Sequence, residues 1–158
     1  ELAVNQTRRC SIDLELEGVT CLSQFIPKGL MDMAVRFHGH LGAFMVLGLK
    51  AGLLADEVLG RDNFGTKAIV ETKPFLPFTC FVDGVQVATG CTMGKGNIEL
   101  KKGDNLSVIF TRGCKSLKLS LKSEVLEDLR KVSSMAESEK VAIALVNRPT
   151  RELFDIEG

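Results

Sequence analysis

The chain has two histidines, and they stand two positions apart in Phe37-His38-Gly39-His40. Within a continuous helix, side chains at i and i+2 point about 200° apart and cannot reach one ion. In a turn, or at a helix start with Gly39 between them, the rings can converge. A long helix is expected directly afterwards, which puts His40 near its amino end. There the helix dipole disfavours imidazolium and keeps the ring neutral, as a metal ligand requires. On spacing alone the plainer alternative stays open: one histidine serves as a hydrogen-bonding group at the helix start and the other is exposed.

A second group of chemistry-bearing residues is Thr89-Gly90-Cys91-Thr92-Met93-Gly94-Lys95-Gly96-Asn97. It is not a Walker A loop, which needs four residues between its first Gly and the Gly-Lys pair, then Ser or Thr. Here three residues intervene and Gly96 follows the lysine, so no bound nucleotide is expected. Backbone amides around Gly94 and Gly96, together with Lys95, could cradle an anion; otherwise the stretch is a tight turn. Cys80 and Cys91 flank Asp83, Gly84 and Gln86. If Phe81 to Thr89 is helical, the two thiols lie at its opposite ends and can share an ion only if that helix is short or bent. Cys10, Cys21 and Cys114 sit in no constellation and are assigned to packing or to no role.

Composition narrows the function classes. Lys and Arg total 20 and Asp and Glu total 20, for a formal net charge of zero, so the basic excess of a nucleic-acid binder is missing. With no Trp or Tyr, base stacking would fall to nine Phe. The five cysteines are odd in number and widely spaced, and none forms CxxC. A zinc ribbon, a thioredoxin-type pair and an iron–sulfur motif are therefore not expected. Unpaired thiols and the lack of a secretory-type start suggest the cytoplasm.

These residues must be positioned by the elements around them. In residues 1–29, expected as an amino-terminal arm, Ile12, Leu14 and Leu16 alternate with acids as a short strand would. Gly29 to Val35 reads as a short helix after Pro27. Leu41 to Leu59 is the strongest helix signal, closed by Gly60 and apolar on nearly every side until Lys50, Asp56 and Glu57. Those charges make it a buried central helix rather than a membrane span. Gly48 and Gly52 share one face, where another element should pack closely. Lys67–Thr72 reads as a strand, Pro74 and Pro77 force an irregular stretch, and Cys80–Ala88 is helix or strand by pattern. Ile98–Lys101 and Leu106–Thr111 read as a hairpin turning at Lys102-Gly103-Asp104-Asn105. Leu117–Leu121 is a further strand, Ser123 caps a helix through Val132, and Val141–Val146 is a last strand closed by Pro149. The outcome is one α+β domain over residues 30–150 with a tail at 151–158.

The order of His38-Gly39-His40, the Gly- and Ala-rich helix, Asp83-Gly84-Val85-Gln86 and Thr89 to Asn97 resembles the formylmethanofuran dehydrogenase E-subunit family over roughly residues 33–148. In that family the His-Gly-His is usually followed by Cys-Pro-Gly or Leu-Gly-Pro; here Leu41-Gly42-Ala43 follows, without that cysteine, and Cys80 is the candidate to supply a thiolate in its place. The resemblance implies a mixed, mostly antiparallel sheet packed on a buried helix, similar to the sheet domain of glyceraldehyde-phosphate dehydrogenases. It also implies a transition-metal site of His and Cys, and a stand-alone member without a cysteine-rich zinc-binding tail. A homodimer or a place within an enzyme complex is implied too, in molybdenum- or tungsten-dependent one-carbon metabolism, the pterin and clusters lying in other polypeptides. The ligands would be drawn from His38, His40, Cys80 and Cys91. Nitrogen and sulfur donors together favour zinc, with Asp83 as a candidate general base. The alternative is a non-catalytic accessory or dimerisation domain.

Overall fold

The computed structural model describes residues 25–158. The arm's strand at Ile12 to Leu16, with Cys10 and Cys21, lies outside the described residues.

Pro27 starts α1 (Lys28–His38), its fixed φ of −57° suiting a helix entrance. Gly39 ends it at φ +99°, a left-handed value glycine adopts without strain, and donates its N–H to the Val35 carbonyl. After three residues α2 (Ala43–Leu59) begins, buried along nearly its whole length. Against it packs α3 (Cys80–Thr89). The two backbones touch where Gly48 meets Gly84: a Cβ on Gly48 would fall on the Phe81 carbonyl, and one on Gly84 would fall on the Met45 carbonyl. One turn further on, a Cβ on Gly52 would stand 2.6 Å from that of Ala88. The glycine spacing in α2 is therefore a close helix crossing, and it brings the amino ends of α2 and α3 together.

Strands β1 (Thr66–Thr72), β2 (Ile98–Lys102), β3 (Ser107–Arg112), β4 (Lys115–Leu121) and β5 (Phe154–Glu157) form one sheet in the order β2-β1-β3-β4-β5. β1 and β2 are parallel, which requires a crossover, and α3 lies in it; the other neighbours are antiparallel. Alternation sends Ala68, Val70, Val108, Phe110, Leu117 and Leu119 to the buried face, where α2 lies against β3 and β4. After β4 come α4 (Ser123–Arg130), α5 (Met135–Val146) and the short α6 (Thr150–Leu153). This is the expected α+β class with a mixed, mostly antiparallel sheet on a long buried helix.

Three local expectations are corrected. β2 and β3 are not a hairpin: β1 stands between them, pairing Ala68 with Ile98 on one side and with Phe110 on the other. The crossover through α3 has already set β2 parallel to β1, and the hairpin instead joins β3 to β4 at Gly113, with φ +59°. Val141–Val146 is the end of α5, not a strand. Ser134 caps that helix by accepting from the Glu137 N–H, and Glu137 accepts from the Ser133 N–H, so the run belongs to a twelve-residue helix. Finally, Ser123 is the first residue of α4 but no cap, since Lys122 holds that position. The segment expected as a tail holds β5, which seats Phe154 beside Phe81 with ring centroids 6.4 Å apart.

Candidate functional site

His38 is the last residue of α1, Gly39 reverses the chain, and His40 precedes the amino end of α2. The left-handed turn at Gly39 brings the two imidazoles to a centroid separation of 4.7 Å at 44°. Asp83, in the first turn of α3, is carried to them by the Gly48–Gly84 crossing. Its Oδ2 lies 2.7 Å from His38 Nδ1. An ionised carboxylate accepts, so this bond places a proton on Nδ1; in the neutral form of the ring Nε2 then carries the lone pair. The His38 side chain is 8% exposed, and its Nε2 has no hydrogen-bond partner among the described residues. Gly42 adjoins both rings: a Cβ there would stand 2.8 Å from His40 Cε1 and 3.5 Å from His38 Nε2. The missing side chain keeps space open beside the two rings.

Next to the pair lies a cleft of about 340 Å³, with His40 and Cys80 both in its wall. Ala43 and Phe44 of α2, Leu76 and Pro77 of the irregular stretch, and Leu129 to Ser138 around the α4–α5 connection complete it. Ala43 N donates to Ser138 Oγ at 3.4 Å, tying the start of α2 to α5. Burial pushes the Cys80 thiol above its usual value, and the negative charge of Asp83 adds to the effect.

Cys91 does not join this group. α3 runs the full ten residues from Cys80 to Thr89, about 15 Å of rise, so the two thiols end up at opposite ends of it. Cys91 is fully buried, its Sγ donates to the Thr66 carbonyl at 3.4 Å, and burial raises its pKa. The Gly94-Lys95-Gly96 turn is also beyond the carboxyl end of α3. Lys95 Nζ donates to Thr92 Oγ1 at 3.0 Å and stands 5.6 Å from the Phe64 ring centroid, and the Thr92 N–H is taken by Asn97 Oδ1. Exposed Cys114 is in the β3–β4 hairpin. Asp83, the candidate base, is 35% exposed and bonds His38 through Oδ2. Among the described residues, no three of His, Cys, Asp and Glu are grouped so as to hold a metal ion as they stand. Gly42 and the cleft residues were not legible as site members, because Ala43 and Ser138 meet across 95 positions of sequence.

Residues 37–155 match the family model described as FmdE, molybdenum formylmethanofuran dehydrogenase operon. The chain belongs to that family. The match starts at the residue before His38 and ends within β5, so it contains the histidine pair, the glycine crossing and strands β1 to β4. The chain is also 34% identical over 128 residues to a probable S-adenosyl-L-methionine-binding protein of Archaeoglobus fulgidus, covering 75% of this chain. It spans 31% of that relative's length.

Proposed function

We propose that this FmdE-family domain is a metal-holding module, with His38 and His40 as the primary ligands and Cys80 as the third protein donor. The observation that carries the reading is the buried Nε2 of His38, unpartnered among the described residues, with Asp83 holding the opposite ring nitrogen. Leaving such an atom without a partner costs roughly 1–3 kcal/mol, and a metal ion would be one partner for it. A carboxylate on the far nitrogen is the usual outer partner of a metal-bound imidazole. Two nitrogen donors and one sulfur donor suit zinc best among the common divalent ions. Cys91 is left out of the ligand set. Zinc, when bound, supplies a Lewis acid and a water acidified toward a pKa of about 7. This chain's own residues orient the His38 ring through the Nδ1–Asp83 bond, keep the space at Gly42 open, and shield one side of the site with Phe44, Leu76 and Pro77. Asp83 acts here by orienting His38. Equilibrium dialysis followed by elemental analysis tests the reading: one zinc per chain in the wild type, lost in His38→Ala and His40→Ala. A metal-free wild type, or variants that keep full zinc, would overturn it.

The name of the Archaeoglobus relative supports a second reading, binding of S-adenosylmethionine, and the cleft beside His40 supports it by offering room for a small organic molecule. Among the described residues no acidic side chain lines that cleft to meet a sulfonium, so the metal reading is preferred. An accessory role in an enzyme complex, or a homodimer, draws support from exposed Phe75, Leu76 and Met135 around the cleft mouth. Light scattering on the purified chain, with and without zinc, would detect self-association.

A further inference from the structure

The sheet has two faces, and α2 lies on the one that buries Val108, Phe110, Leu117 and Leu119. Alternation sends the residues between them to the other face, where Glu71, Glu99, Lys101 and Asp155 are exposed. At one end of that open face α4 brings Glu127 and Arg130 beside Glu71 and Asp155, around a hollow of about 710 Å³. The pairing registers set five open-face residues in one row across the sheet: Glu99 of β2, Ile69 of β1, Ile109 of β3, Lys118 of β4 and Glu157 of β5. The isoleucines are neighbours in the middle of the row; Ile109 is 36% exposed and Ile69 half-buried. Ser107 and Thr111 flank Ile109 on the central strand, so the charged groups of this face stand on the four strands around it. A sheet face that meets only water is ordinarily polar at its centre. An apolar centre with small neighbours and a charged margin is the anatomy of a protein–protein contact.

We infer that this face binds a second copy of the chain, the two sheets stacked about a two-fold axis that runs along the strands between β1 and β3. The row of five residues selects both the occupant and the axis. Glu99 and Lys118 stand on either side of the isoleucine pair, each one strand beyond it. Rotation about that axis seats Ile69 over Ile109 of the second copy and Glu99 over its Lys118, twice by symmetry. Within one copy Lys118 stands 3.6 Å from Glu157, and Glu99 stands 3.9 Å from Lys101. Charges therefore alternate across the contact, from Glu157 and Lys118 to Glu99 and Lys101 of the second copy. An axis running across the strands would set Glu99 on Glu99 and Lys118 on Lys118, and like charges in contact disfavour it. Five strands about 4.8 Å apart, each with five or six residues at about 3.3 Å, give a flat footprint of roughly 400–480 Å² per copy. That is below the roughly 800 Å² per copy of a standard interface, so the dimer is a weak one, with a dissociation constant of about 10–100 μM. The pairing does not depend on the metal reading, since the histidine pair belongs to helices of the covered face.

Sedimentation velocity on the full chain, from about 2 to 500 μM, tests the pairing. The wild type should pass from monomer to dimer over that range. Ile109→Lys should weaken the dimer at least tenfold. Glu99→Lys and Lys118→Glu should each weaken it at least fivefold, because two opposite-charge contacts become like-charge ones. Both changes in one chain should return the dissociation constant to within about threefold of wild type, a recovery that damaged folding would not give. Phe75→Ser, at the cleft mouth, should dimerise as the wild type does. A wild type that stays monomeric throughout would overturn the inference, the face then being left to another occupant. Single variants that dimerise like wild type, a double variant without recovery, or a dimer lost in Phe75→Ser but kept in Ile109→Lys would overturn it too. Zinc content measured on the same samples decides the metal reading separately.

Discussion

Replacing Asp83 by Asn isolates the contact on which the site's chemistry turns. The substitution keeps the volume of the side chain and removes its charge. Asp83 is 35% exposed, so little desolvation is relieved or imposed on its own side. The consequence falls on His38, which is 8% exposed and held through Nδ1 at 2.7 Å. A neutral amide oxygen accepts the Nδ1 proton less strongly, which lowers the basicity of Nε2. If the amide presents its NH₂ instead, the ring proton moves to Nε2 and must leave before a metal can bind. Loss of such an outer partner costs roughly 10- to 100-fold in metal affinity, or about 1.4–2.7 kcal/mol. Competition against a chromophoric zinc chelator at fixed pH measures it, with urea unfolding of both proteins confirming an intact fold. A zinc affinity within about twofold of wild type would refute the orienting role.

Other substitutions separate the positions by role. Cys80→Ser should weaken zinc binding at least tenfold, whereas Cys91→Ser, across α3, should leave it unchanged in the same competition assay. Gly48→Ala places a methyl group on the Phe81 carbonyl. It should lower unfolding stability by about 1–3 kcal/mol and weaken zinc binding as the amino ends of α2 and α3 part. Gly94→Ala, with open space around it, should stay within about 0.5 kcal/mol. Lys50 is fully buried in α2, with Nζ donating to the Arg148 carbonyl at 2.7 Å, and burial pushes its pKa down to about 8 from 10.5. Between those values the unfolded chain holds the extra proton, so stability should rise with pH across that window, by at most about 3 kcal/mol. Below about pH 8 the lysine is charged in both states and adds no slope. Urea titrations of wild type and Lys50→Met at pH 8 and pH 10 should show the rise in the wild type alone.

What the sequence made legible was what local pattern carries. α2 is apolar all round and bounded by glycines, and β1 alternates Ala68, Ile69 and Val70 through a buried and a half-open face. His38-Gly39-His40 was readable as a pair that converges if Gly39 turns the chain, with the plainer alternative left open; the φ of +99° at Gly39 decides between them. Asp83 was picked out, but its task was not: the bond to His38 spans 45 positions and depends on where Gly48 meets Gly84. A six-residue apolar window has no decisive period, so Val141–Val146 reads equally as strand or helix until its cap at Ser134 is seen. The turn at Gly103 invited a hairpin because proximity in sequence favours one. In the fold, Gly103 donates to the Thr72 carbonyl at the end of β1, and the chain passes on to the other edge of that strand. The cleft joins α2, the Leu76-Pro77 stretch and the α4–α5 connection, and nothing in any one of them announces it.

The most direct measurement is an anomalous-difference map at the zinc edge, from crystals of the full chain grown with one equivalent of zinc. A single strong peak in contact with His38 Nε2 and the His40 ring is expected. A map without a peak there, or with zinc bound only at an exposed thiol such as Cys114, would contradict the metal reading.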